Sequence, residues 1–143
     1  MAVNPASKQA SETPLRVLVI DAHPAVGLGL VRLVGIMPGV KVCGLAARGP
    51  DGLVRAGLMQ PDVALVDADL PDDAALVTIR QLRADLPMTR VVALGLYPDR
   101  RAAMLGAGAH AFALKDAGFD ALRAAIVAGP APDSASVQMP RST

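Results

Sequence analysis

The sequence predicts an α/β fold, with one doubly wound, five-stranded parallel sheet and five helices. Three observations carry this. Five short runs rich in β-branched residues alternate strictly with longer segments of helical spacing, which is the pattern of βαβ units. Each run is nearly all apolar, as expected of parallel strands covered by helices on both faces. The first, third and fifth runs lead into Asp21, Asp67 and Lys115, and a doubly wound sheet gathers the carboxyl ends of its strands at one edge.

Residues 1–14 (MAVNPASKQASETP) are small, polar and aperiodic, and predict a flexible N-terminal arm. The first strand runs from Leu15 to Ile20. Pro24 marks the start of the first helix, because proline suits a helix's first turn. On a helical wheel of Ala25 to Met37, the residues Leu28, Leu30, Val31, Leu33, Val34 and Ile36 spread around the whole circumference, leaving only Arg32 charged. A helix apolar all round is normally buried. One face covers the sheet, so the outer face is expected to dock on a partner or on a second copy of the chain, with Leu30→Glu and Val34→Glu as probes.

The second strand, Val40 to Ala46, carries the single cysteine, Cys43, expected as a small apolar core residue and not a nucleophile. One cysteine excludes an internal disulfide and a cysteine-clustered zinc site. Pro50-Asp51 opens the second helix, and the third strand spans Val63 to Val66. Asp72-Asp73 opens the third helix, where Leu76, Ile79, Leu82 and Leu86 recur at helical spacing and define a core face. Arg90 to Leu94 form the fourth strand, Pro98-Asp99 start the fourth helix, Ala111 to Leu114 form the fifth strand, and Gly118 precedes the last helix. The domain is expected over 15–129. Residues 130–143 are Pro/Ser/Ala-rich and are expected to be a flexible tail, too short for a further module.

Bulk properties narrow the function. A hydrophobic fraction of 52% with 19% charged residues argues against disorder over most of the length. A net charge of +1 and an aromatic content of 2% argue against nucleic acid as a partner. No apolar stretch reaches the ~20 residues of a membrane span, and the polar first residues carry no secretory signal, so a cytoplasmic location is the default. No activated nucleophile with an adjacent base is visible, which argues against an independent enzyme.

Asp21, Asp67, Gly95 and Lys115 stand at the ends of the first, third, fourth and fifth strands. Two carboxylates and an ammonium therefore converge on one pocket. Paired carboxylates repel unless a cation sits between them, and magnesium is commonly held by one or two carboxylates with phosphate oxygens and water. The lysine complements the anionic end of the same group.

The motifs VLVIDAHPAV, PDVALVDADLP, RVVALGLYPD, GAGAHAFALKDA and DALRAAIVAG, in this order across residues 15 to 129, resemble the receiver domains of two-component response regulators, nearest to those of LuxR/NarL type. The resemblance implies a flavodoxin-like (CheY-like) fold of strand order 2-1-3-4-5. It implies Asp67 as phospho-acceptor from a histidine kinase or phosphotransfer protein, and Asp21, Asp67 and the backbone carbonyl of Asp69 as the magnesium site. Lys115 would pair with the phosphoryl group, and Phe112 would occupy the aromatic switch position. Two departures are specific. Ala22 stands where a second acid contacts the metal, so Mg2+ is expected to bind more weakly. Gly95 stands where a Thr or Ser bonds the phosphoryl group, so the switch lacks its handle.

The expected function is a stand-alone, atypical receiver acting by protein–protein contact, with a histidine kinase, a phosphotransfer protein or another signalling protein as partner and Asp67 as a weak or conditional phospho-acceptor. A homodimer through the first helix, or through the fourth and fifth, is a further arrangement. One rival is a fully working phospho-receiver or phosphate shuttle. Another is a small cofactor-binding module, because Asp21 to Gly27 match the D-x-H-x-x-G pattern of cobalamin-binding domains, although no Gly-Gly pair follows. His23 and His110 are expected to carry no chemistry.

Overall fold

The computed structural model describes residues 13–128. The chain order is β1 (Leu15–Ile20), α1 (Pro24–Gly35), β2 (Val40–Ala46), α2 (Gly49–Met59), β3 (Val63–Asp67), α3 (Ala74–Asp85), β4 (Arg90–Gly95), α4 (Arg101–Ala107), β5 (Ala111–Leu114) and α5 (Phe119–Val127). All pairings are parallel, in the order β2-β1-β3-β4-β5. The predicted sheet order and the strict alternation are therefore those observed. Asp67 and Gly95 prove to be the last residues of their strands and not the first residues beyond them. The predicted tail and all but the last two residues of the predicted arm lie outside the described residues. No helix among the described residues is long and apolar enough to cross a membrane.

Alternation along the central strands divides the interior into two cores. Leu18 and Ile20 of β1 face one side with Ala56 of α2, Ile79 and Leu82 of α3 and Met104 of α4. Val17 and Val19 face the other side with Leu30 and Val34 of α1 and Leu122 and Ile126 of α5. Every one of these residues is buried, which is why the strands read as continuous apolar runs. On α3 the predicted core face is present, but Leu76 and Leu86 are only half-buried, while Ala75 and Thr78 complete the face.

Two expectations need correction. Leu30 and Val34 do not lie on the outer face of α1, since they are 7% and 0% exposed in the core. Leu28 and Ile36 point outward instead, at 50% and 71% exposure. Cys43 is half-buried rather than a full core residue. Val17 pairs with Val42 and Leu18 with Gly44, so Cys43 is the extra residue of a β-bulge, a common feature of edge strands. Burial pushes its thiol pKa up, which suppresses the thiolate and agrees with an unreactive cysteine.

Close approach of α2 to β1 depends on Gly52. A β-carbon there would sit 2.5 Å from Ile20 Cδ1 and 2.8 Å from its Cγ1. Gly52→Ala should destabilise the fold by about 1–3 kcal/mol through overpacking, outweighing the ~1 kcal/mol alanine gains in a helix interior. Gly57 on the same helix has nothing within 4 Å of its β-carbon position, so Gly57→Ala should stabilise by about 0.5–1 kcal/mol. Urea unfolding of the two variants tests the contrast in sign.

Candidate functional site

Parallel pairing delivers the site residues to one edge of the sheet. Asp21 leaves β1 with its N–H donating to Ala46 O of β2 at 2.9 Å. Asp67 ends β3 in register with Leu94, one residue before Gly95 ends β4. Lys115 follows β5 with its N–H donating to Gly95 O at 2.8 Å. The backbone ladder thus fixes four Cα positions that are far apart in sequence.

The side chains close into one cluster. Lys115 Nζ donates to Asp21 Oδ2 and to Asp67 Oδ1, both at 3.0 Å. Both aspartates are 2% exposed and the lysine side chain is 7% exposed. Asp67 Oδ1 also accepts the Asp69 N–H at 2.8 Å, and Asp67 Oδ2 accepts the Ala22 N–H at 3.4 Å. Asp21 Oδ1 accepts the His23 N–H at 2.9 Å. Burial alone would pull the Lys115 pKa down, but hydrogen bonds and charge from Asp21 and Asp67 more than offset this and raise it.

Ala22 is half-buried against the core and offers no ligand atom. Two carboxylates with water and phosphate oxygens meet the minimum for magnesium, so Asp21 and Asp67 suit such an ion, with one protein oxygen fewer than an acid at position 22 would provide. His23 was expected to carry no chemistry. The structure brings its Nδ1 to 3.6 Å from Asp21 Oδ1 and 3.8 Å from Asp67 Oδ2. Its place two residues beyond Asp21 was the available signal, but spacing alone does not reveal the ring's direction.

The rim is tied in ways the sequence did not disclose. The Asp69 carboxylate accepts the Leu96 N–H at 3.3 Å, linking the loops that follow β3 and β4. Arg100 Nη2 donates to Ala68 O at 3.2 Å and lies 3.7 Å from Asp73 Oδ1. Arg100 therefore braces the site. Asp72 and Asp73 do precede α3, but both adopt left-handed backbone and Asp73 makes no side-chain cap bond.

Phe112 is half-buried, and its ring lies over Gly95. A β-carbon on residue 95 would fall 2.8 Å from Phe112 Cζ and 3.0 Å from Cε1. The missing side chain at 95 is thus space that the aromatic ring occupies.

Comparison with known proteins agrees with this architecture. Residues 17–127 match the family model of the response regulator receiver domain. The response regulator GacA of Pseudomonas viridiflava is 34% identical over 117 residues, covering 78% of this chain and 53% of that protein. The DNA-binding transcriptional activator DevR/DosR of Mycobacterium tuberculosis is 33% identical, covering 71% of this chain and 48% of that protein. The chain spans about half the length of the curated relatives it matches. Among solved structures, the signal receiver domain of NarL from Mycobacterium tuberculosis superposes with a TM-score of 0.69 at 31% identity, covering 78% of this chain and 96% of that one. A LuxR-family response regulator from Aurantimonas sp. SI85-9A1 shares the fold with a TM-score of 0.73 at 22% identity, covering 91% and 99% of the two chains.

Proposed function

The chain belongs to the response regulator receiver family of two-component signalling, and from that premise we propose that it works through protein contacts over which phosphorylation of Asp67 has weak or conditional control. The proposed phosphoryl donor is a histidine kinase or phosphotransfer protein, the partners with which receiver domains interact. A carboxylate oxygen of Asp67 forms the new bond to phosphorus as the phosphorus–nitrogen bond of the donor's phosphohistidine breaks. The electron pair returns to the donor imidazole, which takes up a proton from solvent. Lys115 Nζ, 3.0 Å from Asp67 Oδ1, offsets the charge of the incoming group. Asp21, Asp67 and the Asp69 carbonyl are the groups that would hold a magnesium ion, which when bound would supply further charge neutralisation.

The observation that carries the reading is Gly95 beneath Phe112. Residue 95 has no hydroxyl to bond a phosphoryl oxygen, and the aromatic ring already fills the space above it. The loop after β4 is also tied to the loop after β3 through Leu96 and Arg100 without any phosphoryl group. Phosphate therefore has little left to move. The contact surface we propose is the outer face of α1 with Leu28 and Ile36, facing a signalling partner. The proposed setting is cytoplasmic, with no independent enzymatic activity and no nucleic acid contact by this domain.

Incubation with acetyl phosphate and magnesium, followed by intact mass measurement, tests the proposal. The expected result is a slow, substoichiometric adduct with the mass of one phosphoryl group, absent in Asp67→Asn. Rapid, complete labelling would favour a fully working receiver or phosphate shuttle instead. No labelling, together with partner binding unchanged in Asp67→Asn, would leave an adaptor independent of phosphate.

A further inference from the structure

Lys115 and His23 address different oxygens of the same two carboxylates. Lys115 engages Asp21 Oδ2 and Asp67 Oδ1. The remaining pair, Asp21 Oδ1 and Asp67 Oδ2, is the pair nearest His23 Nδ1, at 3.6 and 3.8 Å. One donor atom from each of Asp21, His23 and Asp67 lies within 4.8 Å of the others. Ligands bound to one ion at about 2.0–2.2 Å stand roughly 3.0–3.5 Å apart, so His23 Nδ1 needs to close on each of its two oxygens by only a few tenths of an ångström. The His23 side chain is 58% exposed, and although His23 is the N-cap residue of α1 its ring makes no capping bond. It can move that far without loss to the helix.

This donor set departs from an all-oxygen site. Magnesium demands near-ideal octahedral oxygen coordination and loses water reluctantly, whereas imidazole with carboxylates suits zinc and its first-row neighbours. We infer that the strand-end pocket is a mixed nitrogen–oxygen site for a zinc-class dication, held by His23 Nδ1, Asp21 Oδ1 and Asp67 Oδ2. His23 takes the part for which Ala22 has no donor. Lys115 keeps its own two oxygens and limits the negative charge of the cup.

The test uses the full chain, stripped of metal and without phosphodonor, so its outcome is independent of whether Asp67 is phosphorylated. Calorimetric titration with Zn2+ should show one equivalent bound. His23→Ala should weaken Zn2+ by at least the 10- to 100-fold that loss of even an outer partner typically costs a metal site, with Mg2+ affinity unchanged. The chain has two histidines, so nitrogen-15 spectra of the wild-type imidazoles supply a second readout that needs no variant. Saturating Zn2+ should shift His23 Nδ1 and leave His110 in place. Undiminished Zn2+ binding in His23→Ala, a parallel loss of Mg2+, an unmoved His23 ring at saturation, or Zn2+ binding abolished by Cys43→Ser would each overturn the inference.

Discussion

Lys115→Met should lower the unfolding free energy by about 3–5 kcal/mol near neutral pH, the usual cost of leaving buried charge without its partner. Asp21 and Asp67 are almost fully buried, and Lys115 Nζ sits 3.0 Å from each. Methionine keeps much of the lysine's length, so the loss reports on charge more than on a cavity. Without the ammonium the two buried carboxylates repel with nothing between them. Denaturant unfolding at neutral pH decides the matter. A deficit below about 1 kcal/mol at neutral pH, the range of exposed pairs, would mean that solvent screens the cluster.

The wild type carries a complementary signature at alkaline pH. The Lys115 pKa is raised above its ordinary value of 10.5, so the folded state holds the proton more tightly than the unfolded chain does. The resulting stabilisation is complete below about pH 10.4 and is lost as pH rises through the folded-state value. The thermal midpoint should fall more steeply there in the wild type than in Lys115→Met.

Gly95→Thr is expected to have the second large effect. Threonine would restore a β-carbon and a hydroxyl, but its β-carbon position lies 2.8 Å from Phe112 Cζ and 3.5 Å from Ala68 Cβ. Overpacking of this kind costs about 1–3 kcal/mol. The better strand propensity of threonine offsets at most about 1 kcal/mol, so destabilisation should win. Phe112→Ala in the Gly95→Thr background should recover stability, and a double-mutant cycle should give a coupling of about 0.5–3 kcal/mol. Strict additivity would show that the ring does not rest on residue 95. In the same double variant the new hydroxyl has room, and acetyl phosphate labelling of Asp67 should rise above that of the wild type.

Some features were readable from the chain and some were not. The strands were visible because burial on both faces demands continuous apolar runs, and the termini of β3 and β4 were misplaced by a single residue because Asp67 and Gly95 are not typical strand residues. Asp21, Asp67 and Lys115 could be brought together because parallel topology sends strand ends to one edge. On α1 the inward residues could not be separated from the outward ones. Gly27, Leu30 and Val34 face the core, but an apolar residue at nearly every position gives periodicity nothing to contrast.

By itself, the sequence determined the alternating α/β scaffold and the identity of the three charged groups, along with the absence of an acid at 22 and a hydroxyl at 95. Those properties follow from residue type and periodicity, which are local, whereas the strand order was implied by the resemblance of the motifs to receiver domains. Tertiary structure alone decided that Lys115 spans both carboxylates, that His23 turns toward the oxygens Lys115 leaves, that Phe112 fills the space over Gly95, and that Asp69 and Arg100 tie the rim. Each depends on side-chain rotamers meeting across strands and loops that are remote in sequence, and no spacing along the chain encodes which atom of a carboxylate faces which neighbour.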